Sequence, residues 1–270
     1  MVDFIGIGAQ KAATTWLWAM LNQHPEVRFS PLKEVHYFDV LYLGSRRRAH
    51  FKVTKRAVRR QLLKLKGAKD AESVAKKDWL RRIKDKAFAF TDDWYRHLFV
   101  GPGEAVTGDI TPLYCALPDA GVEHVKRLAP DARLIYMIRD PVERGASAVR
   151  YATRTGRSPH DIVRAKRFFV RGDYRANITR WEKHFDPAQI LYIPFGDVKR
   201  RPMDVLRAVE RHIGVSAFEG YKEVAVAVNT TRGADVPLPN DIQAKLVEMF
   251  GEQRAYLEER FGQDFVSRVS

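Results

Sequence analysis

The sequence predicts an α/β fold in which a central parallel sheet is flanked by helices. Three short apolar runs, at residues 3–8, 132–138 and 190–193, have the length and continuity of buried strands. Helical patterns follow the first two runs and lie on both sides of the third. Strands that alternate with helices are joined by crossover connections, so these runs favour a parallel sheet.

The elements follow in chain order from these runs and from helix signals between them. The strand at residues 3–8 ends in glycine, and a helix over residues 14–21 follows it. Pro141 suits the first turn of a helix, and the helix that it begins runs to about Tyr151. The remaining helices are predicted at residues 120–128, 174–185, 203–213, 241–250 and 252–261.

The composition is that of an ordinary globular protein. The 270 residues are 45% hydrophobic and 30% charged, which excludes disordered, collagen-like and low-complexity classes. Neither an internal repeat nor a linker rich in glycine, proline or serine divides the chain. We therefore predict a single domain over residues 1–270, with a basic helical insertion around residues 44–90.

The chain shows no signal for export or for membrane insertion. No apolar stretch approaches the roughly 20 residues that cross a bilayer, and residues 1–8 lack the basic and apolar regions of a signal peptide. The single cysteine, Cys115, excludes an intramolecular disulfide and a cysteine metal cluster. We expect no membrane span and a cytoplasmic location, and the sequence does not predict the oligomeric state.

The chain is strongly basic, with 47 Lys and Arg against 33 Asp and Glu and a formal net charge of +14. Much of the surplus lies in residues 46–86, where aliphatic residues separate the charges at roughly helical spacing. The segment is therefore either an amphipathic helix with a solvated basic face or a surface that recruits a polyanionic acceptor. Without zinc-finger spacing or another nucleic-acid module, no nucleic-acid partner is expected.

Residues 4–16 place small residues, a lysine and two threonines between the first strand and the first helix. Free amides at the helix start, the helix dipole, the Lys11 ammonium and the hydroxyls of Thr14 and Thr15 can converge on one phosphate. The loop lacks the Gly-Lys-Ser/Thr ending of the nucleotide-kinase P-loop and the third glycine of the dinucleotide fingerprint. The residues alone leave open a phosphate site and a structural connection.

Residues 11–16, Lys-Ala-Ala-Thr-Thr-Trp, resemble the 5′-phosphosulfate loop of sulfotransferases that use 3′-phosphoadenosine 5′-phosphosulfate (PAPS). Cytosolic members carry Lys-Ser-Gly-Thr-Thr-Trp there and heparan sulfate enzymes carry Lys-Gly-Gly-Thr, so the two alanines are a mild departure. The resemblance implies a P-loop-like three-layer sandwich. It assigns to PAPS the residues Gln10, Lys11, Ala12, Ala13, Thr14, Thr15 and Trp16. Trp16 would offer its ring to adenine, with a buried helix residue as the alternative.

Residues 139–147 form a second candidate anion site. Arg139 follows the carboxyl end of a predicted strand, where ligands bind in α/β proteins, and its guanidinium suits a phosphate. Arg-Asp-Pro followed by a serine resembles the 3′-phosphate motif of the same sulfotransferases, which implies that Arg139 and Ser147 hold that phosphate. The alternative is that Arg139 and Asp140 pair and cap the next helix.

Residues 33–39, Lys-Glu-Val-His-Tyr-Phe-Asp, resemble the segment of heparan sulfate sulfotransferases whose glutamate is the general base. The resemblance implies that Glu34 removes the acceptor's proton and that Lys11 stabilises the leaving phosphate oxygen. His36 is the alternative base, because cytosolic members use a histidine. Glu34 as a surface carboxylate paired with Lys33, and His36 as a buried hydrogen-bonded ring, remain open.

Two further segments resemble the family. Residues 108–114 are similar to its Gly-Glu-Lys-Ser/Thr-Pro-x-Tyr stretch, where Asp109 would orient the acceptor or Lys11, or fix the loop. Ile110 stands where heparan sulfate enzymes commonly carry lysine, which counts against an acidic glycan as acceptor. Residues 229–233 are similar to the loop over the 3′-phosphate, which would bring Arg232 and Gly233 to the nucleotide; a simple turn is the alternative.

These resemblances predict a PAPS-dependent sulfotransferase that releases adenosine 3′,5′-bisphosphate (PAP) and needs no metal. Its acceptor is expected to be a hydroxyl or amine on a small molecule or glycan, with a carbohydrate, including an anionic one, placed first. A secondary-metabolite alcohol or phenol is the alternative acceptor. The rivals from other classes are a P-loop kinase or NTPase and a polyanion-binding protein without catalytic activity.

Overall fold

The computed structural model describes residues 1–100, 104–225 and 237–270. Within these residues the strands are β1 (Phe4–Gly8), β2 (Val27–Phe29), β3 (Val106–Ile110), β4 (Arg133–Ile138) and β5 (Ile190–Pro194). They form one sheet in the order β2-β3-β1-β4-β5, and every pairing is parallel. The predicted α/β architecture with a central parallel sheet is confirmed.

Helices surround this sheet. Those of the described residues are α1 (Thr14–Leu21), α2 (Tyr37–Tyr42), α3 (Arg47–Lys64), α4 (Ala71–Ile83), α5 (Asp92–His97), α6 (Asp119–Leu128), α7 (Pro141–Thr153), α8 (Pro159–Arg164), α9 (Lys166–Val170), α10 (Tyr174–His184), α11 (Phe195–Arg200), α12 (Pro202–Ile213), α13 (Asn240–Phe261) and α14 (Gln263–Ser267). No helix in this part of the chain has the length and apolar character needed to cross a membrane.

The carboxyl ends of three neighbouring strands bring the candidate residues together. β1 lies between β3 and β4 and is buried along its whole length. Residues 9–13 follow β1, Thr111 follows β3 and Arg139 follows β4. Ligands of open parallel sheets bind outside this edge, so the fold itself places these residues at one site.

The two neighbouring strands β1 and β3 make a close side-chain contact. Gly108 on β3 is the register partner of Phe4 on β1. A Cβ atom at position 108 would lie 2.1 Å from Cζ of the Phe4 ring. This separation is far below van der Waals contact, so the Phe4 ring occupies the space that a side chain at position 108 would need.

The basic segment around residues 44–90 contains α3 and α4, which pack against each other. Val58 on α3 and Leu80 and Ile83 on α4 are fully buried in the same core cluster as the sheet residues. Burial of these aliphatic side chains leaves most of the lysine and arginine residues of both helices on the surface.

The structure contains helices that the sequence does not predict, namely α2, α5, α8, α9, α11 and α14, and it differs from the predicted elements in two further places. The sequence predicts three strands, whereas β2 and β3 are also present; β2 has only three residues, and β3 contains Gly108 and Asp109, which disfavour strands. The prediction of two final helices, at residues 241–250 and 252–261, is wrong, because α13 is one helix that continues through Gly251. A helical glycine costs about 1 kcal/mol, which burial of the neighbouring Phe250 can offset.

Candidate active site

The loop after β1 turns the chain sharply into α1. Lys11 and Ala13 both have left-handed backbones, with φ angles of 73° and 64°. Ala13 is the N-cap of α1, and its side chain makes no hydrogen bond to the helix. The Ala13 side chain therefore leaves the first amides of α1 free to bind an anion. Of the residues assigned to the donor here, Ala12, Thr14 and Trp16 are buried, and Gln10, Lys11, Ala13 and Thr15 are half-buried.

Replacing Ala13 by glycine is expected to keep or raise the free energy of unfolding. A left-handed backbone costs a residue with a Cβ atom about 1–2 kcal/mol, and glycine avoids that cost. Urea denaturation measures the change. As the matched control, glycine in place of Ala255, an exposed alanine inside α13, should cost about 1 kcal/mol. An equal loss at both positions would contradict the strained conformation of Ala13.

Positive charges converge on Lys11. Its Nζ lies 4.4 Å from the centre of the Tyr151 ring. Burial, followed by the charges of Arg139, Arg154 and Lys33, lowers the pKa of the Lys11 ammonium. A lysine among cations is suited to an anionic ligand, because the ligand's negative charge would offset the repulsion.

Arg139 joins the loop after β1 to the end of β4. Its Nη1 donates to the carbonyl oxygen of Lys11 (3.2 Å) and its Nη2 to Glu143 (3.3 Å). The guanidinium lies 4.5 Å from the centre of the Phe195 ring. Its Nε is buried and has no hydrogen-bond partner in the described part of the chain. An unpaired buried donor at this edge of the sheet fits a phosphate ligand.

Asp140 caps α7 instead of pairing with Arg139. Its Oδ1 accepts two hydrogen bonds of 3.0 Å from amides in the first turn, and its Oδ2 accepts one of 2.8 Å from Arg254. The alternative in which Arg139 and Asp140 pair is therefore wrong, although the cap is present. Ser147 lies further along α7 and is 8% exposed.

A chain of contacts connects the loop after β1 to Glu34. Nζ of Lys33 donates to Oγ1 of Thr15 (2.7 Å) and lies 3.5 Å from Oε1 of Glu34. Oε2 of Glu34 lies 3.1 Å from Nε2 of His36. The Lys33 and Glu34 side chains are 34% and 32% exposed, so a ligand can reach both. Sequence reasoning treats Lys33 only as a partner for Glu34 and misses its bond to Thr15.

His36 is held between two carboxylates. Its Nδ1 lies 3.1 Å from Oδ2 of Asp39, while its Nε2 faces Glu34. Asp39 is fully buried in α2 and has no role in the sequence predictions. The sequence feature that could have predicted the contact of Asp39 with His36 is their spacing of three residues at the start of a helix.

These contacts set the charges of the cluster. Burial opposes a charge on His36, but the hydrogen bonds and charges of Asp39 and Glu34 outweigh it and raise the pKa of His36 to about 9. Burial also opposes ionisation of Glu34, yet His36 and then Lys33 lower the pKa of its carboxyl. At neutral pH the cluster therefore contains an imidazolium beside an ionised Glu34.

Raising the pH through 9 is expected to weaken the fold through His36. Its pKa is raised from 6.5, so its stabilising charge is fully present below pH 6.5 and is lost as the pH rises through about 9. The free energy of unfolding, measured in urea, should fall by about 1–3 kcal/mol more in the wild type than in His36→Gln between pH 6 and pH 9.5. The same pH dependence in both proteins would rule out this role for His36.

His36, Asp39 and His50 form a compact group whose candidate ligand atoms lie within 4.8 Å of one another. His50, on α3, packs against His36 with ring centres 4.1 Å apart. Both nitrogens of His36 already face carboxylates, so a metal ion would have to displace one of these contacts and a proton from the ring. A metal-free site stays a prediction.

The segment after β3 positions the Glu34 segment. Oγ1 of Thr111 accepts a hydrogen bond from the amide of Val35 (2.9 Å) and donates to Asp109 (2.7 Å). Asp109 also accepts from the Tyr95 hydroxyl (3.1 Å), and burial raises its pKa to about 6. These contacts favour the alternative in which Asp109 fixes the loop. Ile110 is 1% exposed, so it takes no part in an open acceptor surface.

Of the predicted nucleotide contacts, Trp16 lies within the described residues, and the pair in the loop at residues 229–233 does not. Trp16 is 3% exposed and its Nε1 donates to the carbonyl oxygen of Val224 (2.9 Å). This low exposure favours the alternative of a buried helix residue, and the contact of Trp16 with adenine stays a prediction. Arg232 and Gly233 lie outside the described residues.

The sequence profile of the Sulfotransferase family matches residues 3–219, which include Lys11, Glu34, His36, Arg139 and Ser147. The chain belongs to the sulfotransferase family. This membership favours a sulfotransferase over the kinase and the non-catalytic binding-protein alternatives.

Curated relatives of this sulfotransferase include the bifunctional heparan sulfate N-deacetylase/N-sulfotransferase 3 of Mus musculus, which is 27% identical over 153 residues. The Homo sapiens protein of the same name is 28% identical over 153 residues. Both alignments cover 48% of this chain and 17% of the relative, so the chain spans less than a fifth of the length of either relative.

Solved structures similar to this sulfotransferase include a sulfotransferase from Alicyclobacillus acidocaldarius, with a TM-score of 0.67 and 20% identity over 96% of this chain and 95% of that one. The sulfotransferase domain of the Synechococcus PCC 7002 olefin synthase has a TM-score of 0.58 and 18% identity over 93% and 94% of the two chains. At these identities the likeness shows the fold, and it confirms the P-loop-like sandwich.

Proposed function

We propose that this sulfotransferase transfers the sulfuryl group of PAPS to a hydroxyl or amine of a carbohydrate acceptor and releases PAP. The observation that carries the proposal is the contact chain from Thr15 through Lys33 to Glu34. It places an ionised carboxylate beside the loop that resembles a phosphosulfate loop. A proton acceptor next to a donor site is the arrangement that direct group transfer requires.

The residues at the strand ends fit an anionic nucleotide donor. Lys11 lies among cations, and Nε of Arg139 is buried and unpaired within the described residues. Lys11, Thr14 and Thr15 would hold the 5′-phosphosulfate, and Arg139 and Ser147 the 3′-phosphate. PAPS, when bound, supplies the sulfuryl group and a stable leaving group.

Glu34 and Lys11 would do the chemical work on opposite sides of the reacting sulfur. Glu34 accepts the proton of the acceptor as the acceptor's oxygen or nitrogen bonds to sulfur. Lys11 stabilises the negative charge that develops on the phosphate oxygen as its bond to sulfur breaks. The lowered pKa of Glu34 keeps its carboxyl ionised at neutral pH, as a base requires, and no metal is needed for either role.

The charges support Glu34 over His36 as the base. Hydrogen bonds to two carboxylates raise the pKa of His36 to about 9, so at neutral pH both ring nitrogens are donors. A protonated ring cannot accept the acceptor's proton. His36 would instead orient the Glu34 carboxylate through their 3.1 Å contact.

A basic cleft beside the site supports a glycan acceptor that carries negative charge. The cleft has a volume of about 480 Å³ and is lined by Lys52, Lys55, Arg56, Arg59 and Lys84. The helix that provides most of these cations, α3, has no acidic residue along Arg47–Lys64. It reaches the site through His50, which packs against His36. Cations at this spacing can follow an extended anionic chain.

The alternative acceptor is a secondary-metabolite alcohol or phenol. One structural neighbour is the sulfotransferase domain of an olefin synthase, which keeps this alternative open. Incubation with labelled PAPS and matched charged and neutral glycans, beside simple alcohols and phenols, separates the acceptor classes. The cytoplasmic location stays a prediction.

Calorimetry with PAP and ADP is expected to show tight binding of PAP that does not depend on Mg²⁺. Arg139 and Ser147 give the 3′-phosphate partners of its own, and ADP has no phosphate at that position. Titrations with and without Mg²⁺, using the same protein sample, make the comparison. Stronger binding of ADP, or a requirement for Mg²⁺, would overturn the proposed donor.

A further inference from the structure

A cavity of about 180 Å³ lies between α7 and the segment that includes α8 and α9. Its α7 side includes Arg144, Ala148 and Tyr151, which share one face of that helix. Lys11 also lines it, so the cavity opens beside the residue that would stabilise the leaving group. Arg139 and Ser147, the predicted ligands of the 3′-phosphate, are not among its lining residues.

Arg144 is a buried cation with unused hydrogen-bonding capacity. Its side chain lies among the rings of Phe168 and Phe250, 6.0 and 5.3 Å from the ring centres, and the residue is 1% exposed. Its Nε and Nη2 are buried and have no hydrogen-bond partner among the described residues. A buried guanidinium with two unpaired nitrogens is costly, and an oxyanion is the ligand that best satisfies them.

The cavity is positively charged as a whole. Five cations line it, namely Lys11, Arg144, Arg157, Arg167 and Arg171, and no acidic residue of the described ranges is among the lining residues. Arg171 donates to Oε1 of Gln10 (3.4 Å), which fixes it against the loop after β1. Burial, together with the charges of Arg167 and Arg144, lowers the pKa of the Arg171 guanidinium.

We propose that this cavity is an acceptor subsite, which binds an oxyanion group of the acceptor while the neighbouring loop holds the donor. The proposal rests on the proposed function, because it assigns the anion to the acceptor. The ligand chemistry is a sulfate, phosphate or carboxylate group close to the hydroxyl or amine that is modified. An oxyanion between Arg144 and Arg171 would fix the position of an acceptor relative to Lys11.

The test is calorimetric titration of inorganic sulfate into the protein saturated with PAP. PAP fills the nucleotide part of the donor site, so the part of the remaining sulfate binding that Arg171→Gln removes reports the cavity. One sulfate is expected to bind wild type, and Arg171→Gln should weaken it about tenfold or more, since charge-assisted bonds are lost. Arg164→Gln removes an exposed arginine of α8 outside the cavity lining and should bind sulfate as wild type does.

Arg144→Met is the second variant, and it should also weaken sulfate binding. If the loss of this buried cation prevents folding, Arg171→Gln decides the result. Absence of sulfate binding at saturating PAP, or equal binding by wild type and Arg171→Gln, would overturn the subsite. Failure of PAP itself to bind would instead remove the proposed donor, and sulfate titration without PAP would still show whether Arg171 binds an oxyanion.

Discussion

Replacing Lys11 by alanine is expected to lower kcat about 10²–10³-fold while the protein stays folded. The Lys11 ammonium lies at the turn between β1 and α1, half-buried among other cations. Removing it leaves negative charge on the leaving oxygen without its main stabiliser. Loss of the positive charge also relieves repulsion from Arg139, so the fold should not suffer. Turnover of labelled PAPS under single-turnover conditions measures the effect.

The matched control is Lys245→Ala, which removes an exposed lysine of α13 paired with Glu248. It should keep wild-type kcat. Circular dichroism and PAP calorimetry on Lys11→Ala show whether the variant is folded and still binds nucleotide. Near-wild-type turnover by a folded Lys11→Ala protein would exclude the assigned role.

Replacing Glu34 by glutamine is expected to lower kcat about 10²–10⁴-fold with little change in PAP affinity. Glutamine keeps the size of the side chain and can still bond to its neighbours, but it cannot accept the acceptor's proton. The acidic limb of the wild-type pH–rate profile should lie below the ordinary range of a glutamate, because His36 and Lys33 lower the pKa of Glu34. That limb should disappear in the variant.

Two further variants make this result decisive. Glu248→Gln changes an exposed glutamate on α13 in the same way and should be fully active. His36→Gln should lower kcat less than Glu34→Gln does, and it should remove the alkaline limb near pH 9. If His36→Gln is the more damaging change and Glu34→Gln retains turnover, the histidine is the base.

The sequence predicts the central architecture because the central strands are apolar on both faces. β1 and β4 are buried along nearly their whole length, and their runs of apolar residues are visible without a structure. β3 is not visible in the same way, because Gly108 and Asp109 interrupt its apolar pattern. Gly108 gives room to a neighbouring ring, and Asp109 satisfies buried hydroxyl groups; both are requirements of tertiary packing.

The candidate site likewise contains residues that the sequence predicts and residues whose role only the structure reveals. Lys11, Glu34 and Arg139 stand out in the sequence because each belongs to a recognisable segment. The relation between Lys33 and Thr15 cannot be read from the chain, since 18 residues and a strand separate them and only the fold joins them. Arg144 is one more arginine in a basic sequence until its burial and its unpaired nitrogens are known.

The contact between Phe4 and Gly108 has a consequence for how this sequence can vary. The ring and the missing side chain occupy one volume shared by two adjacent strands. Neither position is therefore free to change alone: an alanine at 108 becomes acceptable only when position 4 carries a smaller side chain. In a library randomised at both sites, the two identities should be statistically correlated, with total volume nearly constant.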